Sequence, residues 1–403
     1  MIGRLALRNV FRNRRRTAFS LTVVLIGTAL FLFVLGFIGE ALRTTRLSLA
    51  CETGAVQIAD PRLFENTADG YDYLIGPDVR DRAVALVADT PGVLGVAWQL
   101  SFAGLVGDES GSRLIVARGV TPCNCVQDFA CLVTTGSDLS LNADREVILG
   151  GALATALGVS IGDRINIATG TAAGDFNAAT VEVVGLLRYS IESVEEQLGL
   201  FPVAFAQRLL KTDGVERILI GLEDLDQAAQ RADEWQAAFV AAGIPLETRT
   251  WQELNTSYAS LQSFYSAFNG LAGVAVFVLV FFSVIEVLTI SFLERTREIG
   301  TLRSFGTTRG RVFVTFLFEG GILGLMGASA GVAFGVGVAL LFNVVGVAWT
   351  PPGAAVPQTI RLHLTASTIV IPFAGSLLAT LASAIIPSWR NARTRIVDAL
   401  RSH

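Results

Sequence analysis

Lysine and histidine are almost missing from this sequence. Its 403 residues include one lysine, Lys211, and two histidines, His363 and His403. A phosphate-binding loop needs a glycine-rich turn that ends in Gly-Lys-Ser/Thr, and no such turn precedes Lys211. The two histidines have no metal-ligand spacing, and their positions do not favour a catalytic triad. We therefore expect no catalytic residue, no metal site and no directly bound cofactor, with carboxylate-only catalysis left open.

Charged residues are also scarce, and they are segregated. They make up 16% of the chain, against roughly 25% in soluble domains. Segments 1–16, 294–311 and 390–403 together hold 15 arginines and three acidic residues, and each adjoins an apolar run. Residues 40–265 hold 30 acidic and 15 basic residues. Basic segments beside apolar runs are typical of the cytoplasmic flanks of membrane spans, so we expect membrane lipids and no nucleic acid as partners.

Four apolar stretches are long enough to cross a membrane. The first has 23 uncharged residues from Thr17 to Gly39, whereas the apolar core of a signal peptide has about 7–15. The predicted transmembrane helices are residues 17–40, 269–293, 312–341 and 364–389. Four spans place the amphipathic segment 1–16, the loop 294–311 and the tail 390–403 together in the cytoplasm. The domain 41–268 and the loop 342–363 then lie on the opposite side of the membrane.

The third predicted span is rich in glycine at helical spacing. Glycines four residues apart let helix backbones approach closely in lipid. The candidate packing glycines are Gly320, Gly324, Gly327, Gly331 and Gly335. They favour packing against helices of the same chain, with a subunit interface as the alternative.

Two carboxylates fall inside predicted spans, Glu286 in the second and Glu319 in the third. Each lies about 10 Å from the cytoplasmic edge at 1.5 Å per residue. Carboxylates at such positions are costly and usually face protein or water. The pattern favours side chains that reach the interface or bond a neighbouring helix. A proton site or a helix-coupling contact stays open.

The outer region has the alternating short elements of a mixed α/β domain. Strands are predicted at Val56–Ala59, Leu114–Arg118, Glu146–Leu149, Val181–Leu186 and Arg217–Leu222, a hairpin-like element at Val159–Ile167, and helices at Asp78–Asp89, Gly151–Leu157 and Leu225–Ala242. Residues 254–285 carry no charge and predict one long helix that enters the second span. The fold class is therefore an α-helical membrane protein with four transmembrane helices and a mixed α/β periplasmic domain inserted between helices 1 and 2.

All four cysteines, Cys51, Cys123, Cys125 and Cys131, fall in this outer domain. Four cysteines allow three disulfide connectivities in an oxidising compartment. Free thiols stay open, and so does a metal site at Cys123 and Cys125, although no histidine lies near them in sequence.

Residues 292–306, FLERTREIGTLRSFG, resemble the cytoplasmic coupling loop of ABC transporter permeases of the MacB/LolC/FtsX type. The opening LALRNVFRNRRRT, the closing run from Pro387 to Arg401, and residues 147–163 are similar to other parts of the same family. This resemblance implies that the ATPase-coupling residues are Glu294, Arg295, Arg297, Glu298, Ile299, Gly300, Leu302, Arg303 and Gly306.

The resemblance also implies partners and a function. The partners would be a separate ABC ATPase dimer that binds ATP and Mg²⁺, a second permease copy or paralogue, and a periplasmic or outer-membrane protein. The chain itself would be a non-catalytic permease subunit. It would extract or export a lipoprotein, a peptide or an amphipathic small molecule by mechanotransmission from the ATPase to the outer domain. The alternative is an FtsX-like signalling permease that activates a cell-wall hydrolase, a type that usually has a smaller outer domain.

Overall fold

The computed structural model describes residues 14–108, 111–121, 133–140, 144–188, 192–349 and 358–393. In chain order the elements are α1 (Arg14–Thr53), β1 (Val56–Ala59), α2 (Pro61–Phe64), α3 (Pro77–Val87), β2 (Val93–Asp108), β3 (Gly111–Val120), β4 (Val133–Gly136), β5 (Glu146–Gly150), α4 (Gly151–Leu157), β6 (Arg164–Gly170), β7 (Phe176–Leu187), α5 (Glu192–Glu195), β8 (Leu198–Pro202), α6 (Val203–Leu210), β9 (Arg217–Leu222), a 3-10 turn (Leu225–Gln227), α7 (Ala228–Ala241), β10 (Glu247–Thr250), α8 (Trp251–Leu254), α9 (Thr256–Ser304), α10 (Arg309–Val345), β11 (Ala348–Trp349), β12 (Gln358–Thr359) and α11 (Ala366–Arg393).

These elements form two compact units. The helical unit comprises Met1–Arg43, Leu261–Ala348 and Thr359–His403, and the α/β unit comprises Thr44–Ser260 and Trp349–Gln358. Helices α1 and α9 each contribute residues to both units. The mixed α/β fold of the second unit follows from its ten-stranded sheet and the short helices between its strands.

Four helices among the described residues, α1, α9, α10 and α11, are long and apolar enough to cross a membrane. Helix α1 has 40 residues, about 60 Å, which is twice the hydrocarbon thickness of about 30 Å. It continues past the predicted span 17–40 and ends at Thr53, before Gly54 at φ +73°. Helix α9 has 49 residues and begins at Thr256, because the short helix α8 occupies the preceding residues.

The core of the helical unit draws on all four long helices. Its buried members are Val24, Val280, Val284, Leu288, Leu323, Ala379 and Ala384. Helix α10 begins after Thr308, whose side chain accepts a hydrogen bond from the Arg311 N–H, and it ends before Gly346 at φ +64°. Helix α11 contains Pro372 and Pro387. Proline is tolerated in membrane helices because neighbouring groups satisfy the freed carbonyls.

The sheet of the α/β unit closes on itself. Strand β6 pairs with both β2 and β7, so that β2, β3, β8, β5, β7 and β6 form a ring of six strands. Ring closure leaves these strands no free edge. Strands β9, β1 and β10 extend the sheet outward from β2. The pairs β3/β8 and β5/β7 are parallel. The hairpin-like element expected at Val159–Ile167 is instead a single strand, β6, that pairs with later and earlier strands.

Helices α6 and α7 cover the sheet with apolar side chains. Phe205 of α6 stacks on Phe201 at 5.5 Å between ring centroids, and Phe201 lies 5.9 Å from Phe102. On α7, Trp235 and Phe239 are buried. All five of these aromatic side chains are buried in the core of the unit.

Candidate functional site

The coupling segment, residues 294–306, is mostly the end of α9. That helix continues to Ser304, and Gly306 then takes a φ of +92° before α10 begins at Arg309. The sequence predicts a loop over residues 294–311. The structure differs because no residue between 293 and 304 breaks the helix. The segment is thus one side of a helix hairpin with α10.

The inner side of this hairpin is held by one ion pair and one apolar cluster. Arg295 Nη1 lies 3.1 Å from Glu319 Oε1, and the two side chains are 12% and 4% exposed. Ile299 packs with Val312 and Phe316, and all three are buried. Glu319 therefore bonds a neighbouring helix, one of the arrangements that its position in the sequence favoured.

The other predicted coupling residues lie near this contact between α9 and α10. Glu294 is exposed, Gly300 is buried, Arg303 is half-buried and Gly306 is exposed. The side chains of Arg297, Glu298 and Leu302 fall outside the described set.

Phe305 was not among the residues predicted from the sequence. Its side chain is 84% exposed at the turn of the hairpin. The sequence feature that could have indicated Phe305 is a large aromatic residue directly before the glycine of a charged loop.

Glu286 and Glu319 have different surroundings despite similar depth in their spans. Glu319 is 3% exposed, whereas Glu286 lies on an exposed part of α9. Among the described residues, no ion pair reaches Glu286. The two carboxylates therefore do not form one site.

The five candidate packing glycines face other helices of the same unit. A Cβ on Gly320 would lie 2.6 Å from that of Ala384, and one on Gly324 would lie 1.9 Å from the Thr380 hydroxyl oxygen. Both partners belong to α11. Gly327, Gly331 and Gly335 instead lie against α1, at Val24, Thr28 and Ala29. Glycine thus permits close approach of α10 to two helices at once.

A cavity of about 480 Å³ lies between α1, α9 and α11. Its lining is mostly apolar and includes Phe31, Leu35, Gly273, Phe277 and Gly375. Asn269 also lines it, and the Oδ1 of this side chain is buried without a hydrogen-bond partner in the described part of the chain. The cavity is suited to a hydrocarbon group with a nearby polar atom.

Buried carboxylates of the α/β unit are engaged in structural bonds. Glu216 accepts hydrogen bonds from the Ser101 N–H at 2.9 Å and from Arg217 Nη2 at 2.6 Å. Glu195 accepts one from the Ala152 N–H at 3.0 Å.

Burial, with the charge of Glu216 as a smaller cause, raises the pKa of Tyr73 to about 12.

The cysteine predictions fall largely outside the described residues. Cys123, Cys125 and Cys131 all lie there, and Cys51 is in α1 with its side chain outside the described set. Among the residues that the structure does describe, no group of three His, Cys, Asp or Glu side chains could hold a metal ion.

Two family models match adjoining parts of the chain. Residues 17–238 match the MacB-like periplasmic core domain, and residues 270–396 match the FtsX-like permease C-terminal domain. The first match alone covers more than half of the chain.

Similar proteins cover the chain to different extents. The lipoprotein-releasing system transmembrane protein LolC of Xylella fastidiosa (strain Temecula1) is 23% identical over 391 residues, 92% of this chain and 94% of that protein. The macrolide export ATP-binding/permease protein MacB of Hyphomonas neptunium is 28% identical over 237 residues, 56% of this chain and 34% of that protein.

One solved structure is the periplasmic region of MacB from Actinobacillus actinomycetemcomitans. It is 9% identical, with a TM-score of 0.39 over 52% of this chain and 94% of that one. The two family matches are sufficient: the chain belongs to the family of ABC transporter permeases that join a MacB-like periplasmic core domain to an FtsX-like permease domain.

Proposed function

We propose that the chain is the membrane subunit of an ABC transporter in the bacterial inner membrane. A separate ATPase dimer binds ATP and Mg²⁺ and docks on the coupling segment. The permease pairs with a second copy or a paralogue, both termini lie in the cytoplasm, and the α/β unit lies outside. Each ATP cycle moves the α/β unit by mechanotransmission.

The observation that carries this proposal is the continuity of α9. One helix runs from Thr256 to Ser304, and so contains both the predicted second span and most of the coupling segment. A rigid helix is one of the elements through which sites far apart are coupled.

The parts of α1 and α9 that lie in the α/β unit are bonded to other residues of that unit. Arg46 of α1 forms an ion pair with Asp226 at 2.6 Å, and its guanidinium lies 5.7 Å from the ring centroid of Trp251. Tyr258 of α9 lies 4.8 Å from the same tryptophan. A displacement of either helix would therefore be passed to the α/β unit.

The cavity in the helical unit supports a cargo with a hydrocarbon part. A lipoprotein, an apolar peptide or an amphipathic small molecule has such a part. Relatives carry names for lipoprotein release and macrolide export. We therefore propose cargo of this class, extracted or exported at the outer face of the membrane.

The experiment that tests the proposal purifies the tagged full chain in mild detergent after cross-linking. Recovery of an ABC ATPase and ATP hydrolysis are measured for the wild type, Phe305→Ser and Phe176→Ser. Both phenylalanines are exposed, at 84% and 76%, so neither substitution removes core packing. We expect Phe305→Ser to lower ATPase recovery about tenfold, as loss of an aromatic interface anchor does, and Phe176→Ser to leave it unchanged.

Three results would contradict part or all of the proposal. Equal ATPase recovery in both variants would remove the docking role of the hairpin turn. A complex without any ABC ATPase would overturn the transporter function, and recovery of a cell-wall hydrolase beside an ATPase would favour signalling over transport.

A further inference from the structure

Arg295 belongs to the coupling motif, yet its guanidinium points into the helical unit. Its partner Glu319 is 4% exposed and lies 24 residues further along the chain, on α10. The apolar cluster of Ile299, Val312 and Phe316 lies beside the pair, between the same two helices. The ion pair is therefore largely buried in the packed contact between α9 and α10.

A buried ion pair differs from a surface one in what its loss does. Removal of one partner leaves an uncompensated charge in a medium that cannot solvate it, whereas an exposed pair contributes little. Such pairs also fix the register of two helices, because only one axial alignment brings the charges together. One alignment of α9 on α10 satisfies both Arg295 and Glu319.

We propose that Arg295 is a positioning residue, which through Glu319 makes the coupling segment and the start of α10 move as one body. The consequence of this inference rests on the proposed function. When the ATPase displaces the coupling segment, α10 is displaced directly together with α9. The residue after Glu319, Gly320, lies against Ala384 of α11. Displacement therefore passes from the coupling segment through α10 to α11.

The test uses the full chain in lipid nanodiscs and needs no ATPase. Amide hydrogen exchange is measured across residues 299–304 and 309–316 for the wild type, Glu319→Gln and Glu286→Gln. The last variant is a matched control, because Glu286 is a carboxylate at similar depth but on an exposed part of α9. We expect Glu319→Gln to accelerate exchange in both segments by about tenfold or more, since loss of the carboxylate charge opposite Arg295 weakens the contact between α9 and α10. Exchange in Glu286→Gln should match the wild type.

The charge exchange Arg295→Glu with Glu319→Arg separates positioning from general stability. We expect it to restore slow exchange in both segments while either single reversal does not. Wild-type exchange in Glu319→Gln, or equal acceleration in Glu286→Gln, would overturn the inference. A folded double variant without restored protection would overturn it as well.

A second measurement distinguishes this inference from the proposed function. In the purified complex, Glu319→Gln should retain its bound ATPase, while extraction of a phospholipid with a fluorescent acyl chain per ATP hydrolysed falls at least about tenfold. An absent ATPase would refute the proposed function but leave the exchange result interpretable. A bound ATPase with unchanged coupling would refute the positioning role alone.

Discussion

The hydroxyl oxygens of Thr28 in α1 and Ser376 in α11 lie 2.7 Å apart in the buried centre of the helical unit. The Thr28 oxygen also lies 2.7 Å from the carbonyl oxygen of Val24. A hydroxyl carries one proton and a carbonyl oxygen can only accept, so Thr28 donates to Val24 and accepts from the Ser376 hydroxyl. The first and fourth long helices are thus joined by a polar contact.

Replacement of Thr28 by valine should destabilise the helical unit. Valine keeps the shape but removes the hydroxyl, and such interhelical bonds contribute about 0.6 kcal/mol or somewhat more. We expect a lower melting temperature in detergent. Ser20→Ala is the matched control, because Ser20 is fully buried on the same helix and its hydroxyl has no partner among the described residues. Equal losses in the two variants would contradict the role of the contact.

Gly331→Ala should destabilise α10 against α1. A Cβ on Gly331 would lie 2.7 Å from the Thr28 Cβ and 2.8 Å from the Leu25 carbonyl oxygen. Forcing the helices apart costs about 1–3 kcal/mol, as overpacking does. Gly337 of the same helix has no atom within 4 Å of its Cβ position. Gly337→Ala should therefore match or exceed the wild type in thermal melting, and a loss as large as that of Gly331→Ala would count against this packing.

Filling the cavity should reduce its occupancy by hydrocarbon. Gly375 lines the cavity, and no atom lies within 4 Å of its Cβ position, so Gly375→Leu places a side chain in the open space. We expect weaker binding of a phospholipid with a fluorescent acyl chain, measured by energy transfer from tryptophan. Gly337→Leu, outside the cavity lining, is the control. Unchanged binding in Gly375→Leu would show that this cavity is not a hydrocarbon site.

The stability of the α/β unit should depend on pH in the alkaline range through Tyr73. Its pKa is raised from 10.0 to about 12, mainly by burial. The protonated phenol is thus favoured in the folded state, and its contribution is complete below pH 10 and lost as the pH rises towards 12. Urea unfolding followed between these values should show the loss, and Tyr73→Phe should reduce it. An identical pH dependence in the variant would rule out Tyr73 as the cause.

Much of the architecture was predictable because its signals are local. The uncharged run from Thr17 to Gly39 predicts a membrane helix by length alone. Strands β1 and β9 are short apolar runs between turn residues, and the predicted bounds Val56–Ala59 and Arg217–Leu222 match the structure.

Other elements depend on contacts that sequence reasoning does not show. Strand β2 contains three glycines, which weaken a strand signal. Gly104 is needed because β6 passes so close that a Cβ would lie 2.6 Å from the Ala168 carbonyl oxygen. The pair of Arg295 and Glu319 was missed for a related reason: it depends on how α9 and α10 are rotated against each other.

Site-specific photo-cross-linking from position 305 asks whether a separate ATPase docks on the coupling segment. A photoreactive amino acid replaces Phe305 in one strain and Phe176 in another, and both are irradiated in intact cells. We expect an adduct between position 305 and an ABC ATPase subunit, and none with that subunit from position 176. Position 305 yielding no ATPase adduct, with the chain present at normal levels in the membrane, would contradict the claim that a separate ATPase drives this permease through the coupling segment.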